Sequence, residues 1–269
     1  MLSTALQSAR HTLDSVGGLA APPPPAGELK AQLAAAGNHL LPTVSAAQAE
    51  LRTLTQRAIA DVGSLSQAVA KGFDPAAAVK VLHVLGTAFD AQNARMAPLV
   101  QQLDGFRDGV DKGVAAMAQE QTNLAAQLSG LAAQRQHWQS QLDQINKQNS
   151  ITSIIGTFIP FAPWAGGEIA SEIQYGKSTE EALAEASQNL ARVTAQAQAL
   201  QAAINACKML ATALEQLAAA VQGLANAVSL VRADLADDSV QAAVATPTTL
   251  KLFLIALTGS LQVLQSGAS

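Results

Sequence analysis

Leu103, Val110, Met117, Leu124, Leu131, Trp138 and Ile145 follow one another at seven-residue intervals without a miss. A seven-residue apolar repeat kept up over this length specifies a long helix with a narrow seam that winds left-handedly against a neighbour. A second row four residues on, Val114, Leu128 and Leu142, is interrupted by Arg107, Gln121 and Arg135, so the seam is expected to be only partly dry. Downstream the pattern returns as Cys207, Leu210, Leu214, Leu217, Val221, Leu224, Val228, Val231 and Leu235, stepping three and four throughout. The fold class expected is all-α, an elongated antiparallel helical bundle of four to five helices.

Composition agrees. Charged residues are 13% of the 269, about half the usual share. Aromatics are 3%, while alanine, leucine and glutamine dominate, which favours helices over a β-sandwich or an α/β sheet. A net charge of −4 gives no general attraction to nucleic acid or to anionic lipid. The single cysteine, Cys207, excludes an intramolecular disulfide. The opening "MLSTALQSAR" lacks the basic and apolar regions of a classical signal peptide, leaving export by another route.

Leu2, Leu6, Leu13 and Val16 predict a first helix, ended by Gly17-Gly18, and "APPPPAG" at 21–27 predicts an extended connector. A short helix over 28–36 should stop at Gly37-Asn38, and a separate one should cover 43–70. Asp74-Pro75 reads as the cap and first residue of the next helix, in which Pro98 kinks rather than terminates. "STEE" at 178–181 reads as a capping box opening a helix to about Leu235; Asp237-Asp238 break it, and Thr246-Pro247 starts the last helix. The divisions expected are 1–42, a bundle over 43–150 and 176–269, and a separate segment over 151–175.

That segment, "ITSIIGTFIPFAPWAGGEIASEI", lies in the turn between two helices of about 55–60 residues, each on the order of 85 Å long. Residues 148–167 are twenty without a charge. A core reading fails because the tip of a two-helix pair has no interior. A single transmembrane helix of about 20 residues is interrupted by Pro160, Pro163 and Gly166-Gly167. A hairpin fits better, with arms 151–159 and 164–173 turning at "PFAP". Each arm would reach about 14 Å as helix, one leaflet of a bilayer. The side chains expected to enter the membrane are Ile151, Ile154, Ile155, Phe158, Ile159, Pro160, Phe161, Pro163, Trp164, Ile169 and Ile173. Trp164 and Tyr175 suit the interfacial belt. The β-branched run "TSIIGTFI" leaves a strand-like soluble form open.

The long helices, the apolar hairpin between the third and fourth main helices and the short C-terminal helix resemble the α-helical pore-forming toxins of the cytolysin A type. That superfamily includes the haemolysin BL and non-haemolytic enterotoxin components and the Gram-negative tripartite haemolysins. The resemblance covers about residues 43–265 and rests on architecture and on the placement of "ITSIIGTFIPFAPWAGGEI". It implies a secreted, membrane-lytic toxin component, a soluble form that converts to an oligomer on the target-cell lipid membrane, and partner toxin subunits. The short head looks closer to a subunit that docks on one leaflet and recruits others. A non-toxin coiled-coil secretion translocator or an envelope-associated structural rod would explain the heptads equally. An exposed apolar tip of this size exceeds what monomers usually tolerate, so a homo-oligomer hiding the head in solution is expected.

No chemistry of an enzyme can be assembled. His11, His39, His83 and His137 are scattered without ligand spacing, so neither metal nor cofactor is expected; His137 reads as a helix-surface residue. "GKS" at 176–178 matches the end of a phosphate-binding loop but has Ser171 where the upstream glycine belongs. Cys207 reads as a small core hydrophobe.

Glu168 and Glu172 share one helix face near the tip. They either mark its water-facing end or form an acid switch, since burial raises a carboxylate's pKa. Liposome binding of the Glu168→Gln, Glu172→Gln double variant across pH 5–8 separates the two: an acid switch loses its pH dependence, and a water-facing pair leaves the profile unchanged.

Overall fold

A computed structural model of the chain describes residues 2–18, 24–72, 74–148 and 179–268. Among these, six helices and no strand occur: α1 Leu2–Gly17, α2 Pro24–Lys71, α3 Pro75–Gln148, α4 Thr179–Asp234, α5 Asp237–Ala243 and α6 Pro247–Ala268. They sort into two compact units. The first holds Met1–Gly18, Glu28–Lys112 and Ala206–Ser269, and the second is built on Gly113–Asn205.

The apolar periodicity is the packing. In α3, Leu103, Val110, Met117, Leu124 and Leu131 are all buried, while Val114, Leu128 and Leu142 are half-buried, so the seam is partly wet as its polar interruptions imply. Every member of the α4 row from Cys207 to Val231 is buried, as is Leu235 beyond it. Within the first unit, Arg232 of α4 pairs with Asp90 of α3, and Ser229 Oγ donates to Asn93 Oδ1 at 2.9 Å. Moving three residues forward on α3 moves three back on α4, so the pair is antiparallel.

Two elements differ from the sequence expectation. The helices expected at 28–36 and 43–70 are one helix, α2, which begins at Pro24 inside the expected extended connector. Prolines are tolerated there because the first four N–H groups of a helix have no internal partner. Gly37 does not stop α2. Its missing Cβ makes room for Leu13 of α1, whose Cδ2 would lie 2.4 Å from an added carbon. Pro42 also sits inside the helix, where Thr43 Oγ1 donates to His39 O at 2.6 Å. The second difference is α5. α4 ends at Asp234, and Asp237 and Asp238, expected to break it, occupy the first turn of a short new helix, where acidic side chains meet the positive end of the helix dipole.

Other boundaries fall as expected. Asp74 Oδ1 accepts from Ala77 N at 3.1 Å and caps α3, and Pro98 lies within it. Thr246 and Thr249 cap α6 reciprocally, each backbone N–H donating to the other's hydroxyl at 3.0 and 3.1 Å. Ser178, the expected cap of α4, lies outside the described residues.

Buried amides tie the first unit together. Gln48 Nε2 of α2 donates to Ser3 Oγ of α1 at 2.7 Å and to Ala268 O of α6 at 2.8 Å. Gln92 Nε2 of α3 donates to Ala47 O of α2 at 3.1 Å.

Gly37→Leu should displace α1 from α2 and lower stability by about 1–3 kcal/mol, the cost of overpacking. Gly63→Leu, where an added carbon meets nothing within 4 Å, should not destabilise. Urea unfolding of the two variants reads the difference.

Candidate functional site

All eleven expected membrane-inserting residues, from Ile151 to Ile173, lie outside the described residues, as do Glu168 and Glu172. What the structure gives is the scaffold on either side. α3 ends at Gln148 and α4 begins at Thr179, so the apolar segment lies in sequence between two long helices.

In the second unit these helices present seven-residue rows to the interior. Leu124 and Leu131 of α3 are buried, as are Ala186, Val193 and Leu200 of α4. Gln121 Nε2 donates to Gln201 Oε1 across the pair, so the polar interruption at 121 is used for a side-chain bridge. Burial fades towards the end of α3: Trp138 is half-buried rather than fully covered.

His137 is not the surface residue expected. It is half-buried, its ring meets Trp138 edge-on with centroids 5.4 Å apart and planes at 71°, and its Nε2 is withdrawn from solvent without a hydrogen-bond partner among the described residues. No spacing or motif hints at this, because only the partner side chains decide which face of a sparsely covered helix is wet.

Two polar grooves lie in the first unit, and each contains an arginine paired with an aspartate. One, of about 320 Å³, is lined by His83, Thr87, Asp90, Ser229, Arg232 and Asp237. In it Arg232 pairs with Asp90, and His83 Nδ1 lies 3.6 Å from Asp237 Oδ1. Another, of about 430 Å³, is lined by Arg107, Asp111, Lys208, Thr212 and Glu215. A hydrogen bond from Arg107 to Asp108 raises the guanidinium's pKa, and Asp104 and Glu215 add to it. Among the described residues no group of three or more His, Cys, Asp or Glu is placed to hold a metal ion.

Cys207 lies in the α4 seam at 1% exposure. Burial pushes its thiol up to about 11 from 9.0, because the thiolate would lose its hydration. The folded chain thus holds this proton more tightly than the unfolded one. The stabilisation is complete below pH about 9 and is lost as pH rises towards about 11. As the single cysteine, it reports cleanly. A thiol reagent at pH 8 should label the folded chain at least 100-fold more slowly than the urea-unfolded chain. The stability advantage over Cys207→Ala should be flat to pH 9 and shrink above it by up to about 1.4 kcal/mol per unit.

No family model matches the chain, and no curated protein matches it. Solved structures do. The soluble AhlC triple head mutant of the tripartite α-pore-forming toxin AHL from Aeromonas hydrophila superposes with a TM-score of 0.74 at 19% identity, over 100% of this chain and 97% of that one. Soluble AhlC from the same organism gives 0.73 at 18%, with the same coverage. AhlB in the pore of that toxin gives 0.54 at 13%, over 98% of this chain and 96% of that one. The chain has the helical fold of these tripartite α-pore-forming toxin components, the group its sequence resembles.

Proposed function

We propose that the chain is one component of a multi-protein α-pore-forming toxin, secreted in a soluble form that converts to a membrane-bound oligomer. The observation that carries this reading is the end-to-end match to soluble AhlC, which leaves no part of this chain uncovered. The likeness to AhlB in a pore supports a fold that works in an oligomer on a membrane. The chain's own residues supply the physical reason. Thirty residues, 149–178, separate α3 from α4, and the apolar run "IIGTFIPFAPWAGG" is their centre. With arms that reach one leaflet, this segment anchors the chain and recruits partner subunits; it does not line a pore alone. The residues from Ile151 to Ile173 named above act by apolar burial in lipid, and no covalent chemistry is required of the chain.

Before membrane contact the same surface needs cover, which self-association of heads provides. The body is suited to a long soluble life because its seams are closed by aliphatic packing and buried amides rather than by charges that respond to salt.

Phe158→Glu with Phe161→Glu should leave the helical circular dichroism unchanged, lower the sedimentation mass and reduce liposome binding at least 10-fold. The unaltered chain should bind liposomes yet release trapped dye only with the products of neighbouring genes. Failure of the unaltered chain to bind liposomes under any of these conditions would overturn the reading.

A further inference from the structure

α6 has two apolar faces. One, made of Leu250, Leu254, Leu257, Leu261, Leu264 and Ala268, is buried against the first unit. At 3.6 residues per turn, Leu252, Ile255, Ala256, Gly259 and Val263 fall within an arc of about 100° on the opposite side. All five are exposed, Leu252 at 65%, Ile255 at 60% and Val263 at 68%. Six large apolar side chains are this exposed among the described residues, and three of them belong to this short face.

We propose that this face is where α6 of a second copy packs, antiparallel, with the two helices crossing at Gly259. Three observations select that occupant. The first is Gly259 itself. Glycine weakens a helix interior relative to alanine, yet an added Cβ here would meet nothing within 4 Å, so the chain's own packing does not require it. A lipid-facing stripe gains nothing from a missing side chain, whereas a helix crossing does, because the backbones approach more closely. Gly63, Gly105 and Gly223 are equally open, but none of them stands between large apolar residues four positions away on both sides.

The second is symmetry. Ile255, Gly259 and Val263 lie at i, i+4 and i+8, one ridge of the helix with its small residue at the centre. A two-fold contact must be self-complementary, and an antiparallel crossing at Gly259 sets each Ile255 against the partner copy's α6 near the position of Val263. The third is charge. Lys251 is the single charged side chain of α6. An antiparallel pair places the two ammonium groups at opposite ends, while a parallel pair would bring them together.

Area sets the strength. The stripe is about 17 Å long and offers on the order of 200–300 Å² per copy, against about 800 Å² per partner in a standard interface. The pair is therefore a reversible contact that fills at high local concentration, such as on a surface or among subunits held by other contacts. It stands whether or not the toxin reading holds.

The test uses the full chain carrying Cys207→Ala, to remove the native thiol, and Phe158→Glu with Phe161→Glu, to remove association through the head. In this background Gly259→Cys should form a disulfide-linked dimer under mild oxidation, at least 10-fold faster than Lys251→Cys. Adding Ile255→Glu should suppress the cross-link at least 10-fold with circular dichroism unchanged. Equal cross-linking at the two positions, or none at position 259 up to millimolar chain, overturns the proposal. So does an Ile255→Glu effect confined to flotation with phosphatidylcholine–phosphatidylserine vesicles, which would make the face lipid-binding, as the length and apolarity of α6 also allow.

Discussion

The structure depends on one constraint: apolar residues placed every seven positions on α3 from Leu103 to Leu131, and every three and four on α4 from Cys207, must be covered. Helices this long carry a large backbone entropy cost, and intrinsic propensity offsets little of it. Burial of each Leu, Val or Met side chain contributes about 1.5–3 kcal/mol. The first unit meets the demand with many helices: residues of α1, α2, α5 and α6 join the buried set around α3 and α4. Charge has a small share in this. The ion pairs Arg95–Glu50 and Arg232–Asp90 are exposed on both sides and contribute little each. The buried amides of Gln48 and Gln92 matter more for specificity, since each fixes one helix against another at a single register.

The seams were legible because periodicity reports burial directly. Leu103 to Leu131 and Cys207 to Leu235 needed only counting. Caps at Asp74 and Thr246 were legible for the same kind of reason, since the groups that satisfy the helix end are local. Gly37 misled because local propensity was overruled by a tertiary contact: a glycine in that place is a notch for Leu13, and the sequence does not say which side chain fills it. The short helix α5 was hidden by its own start signal, because two aspartates serve equally to end one helix and open another. Gln48 was invisible for a different reason. Glutamine is abundant throughout this chain, and nothing in its spacing separates a buried amide from a solvated one.

The apolar segment 151–173 was legible by composition alone, and it was the flanking helices that lent it a meaning. A run of this length is ambiguous in isolation. Its place in the sequence between α3 and α4 is what the hairpin expectation rests on. The same placement carried the resemblance to the α-pore-forming toxins.

Burial in the second unit is uneven along α3. Along α3 the seam positions go from fully covered at Met117, through Leu124 and Leu131, to half-buried at Trp138, with Leu128, Leu142 and His137 half-buried beside them. Elements with few buried apolar contacts open at low free energy, while well-covered ones open only with global unfolding. The seam of α3 therefore opens at lower free energy near Trp138 than near Met117. Nε2 of His137, withdrawn from solvent, belongs to the same region. The dense, amide-pinned packing of the first unit supplies the opposite property, a scaffold that opens only with global unfolding.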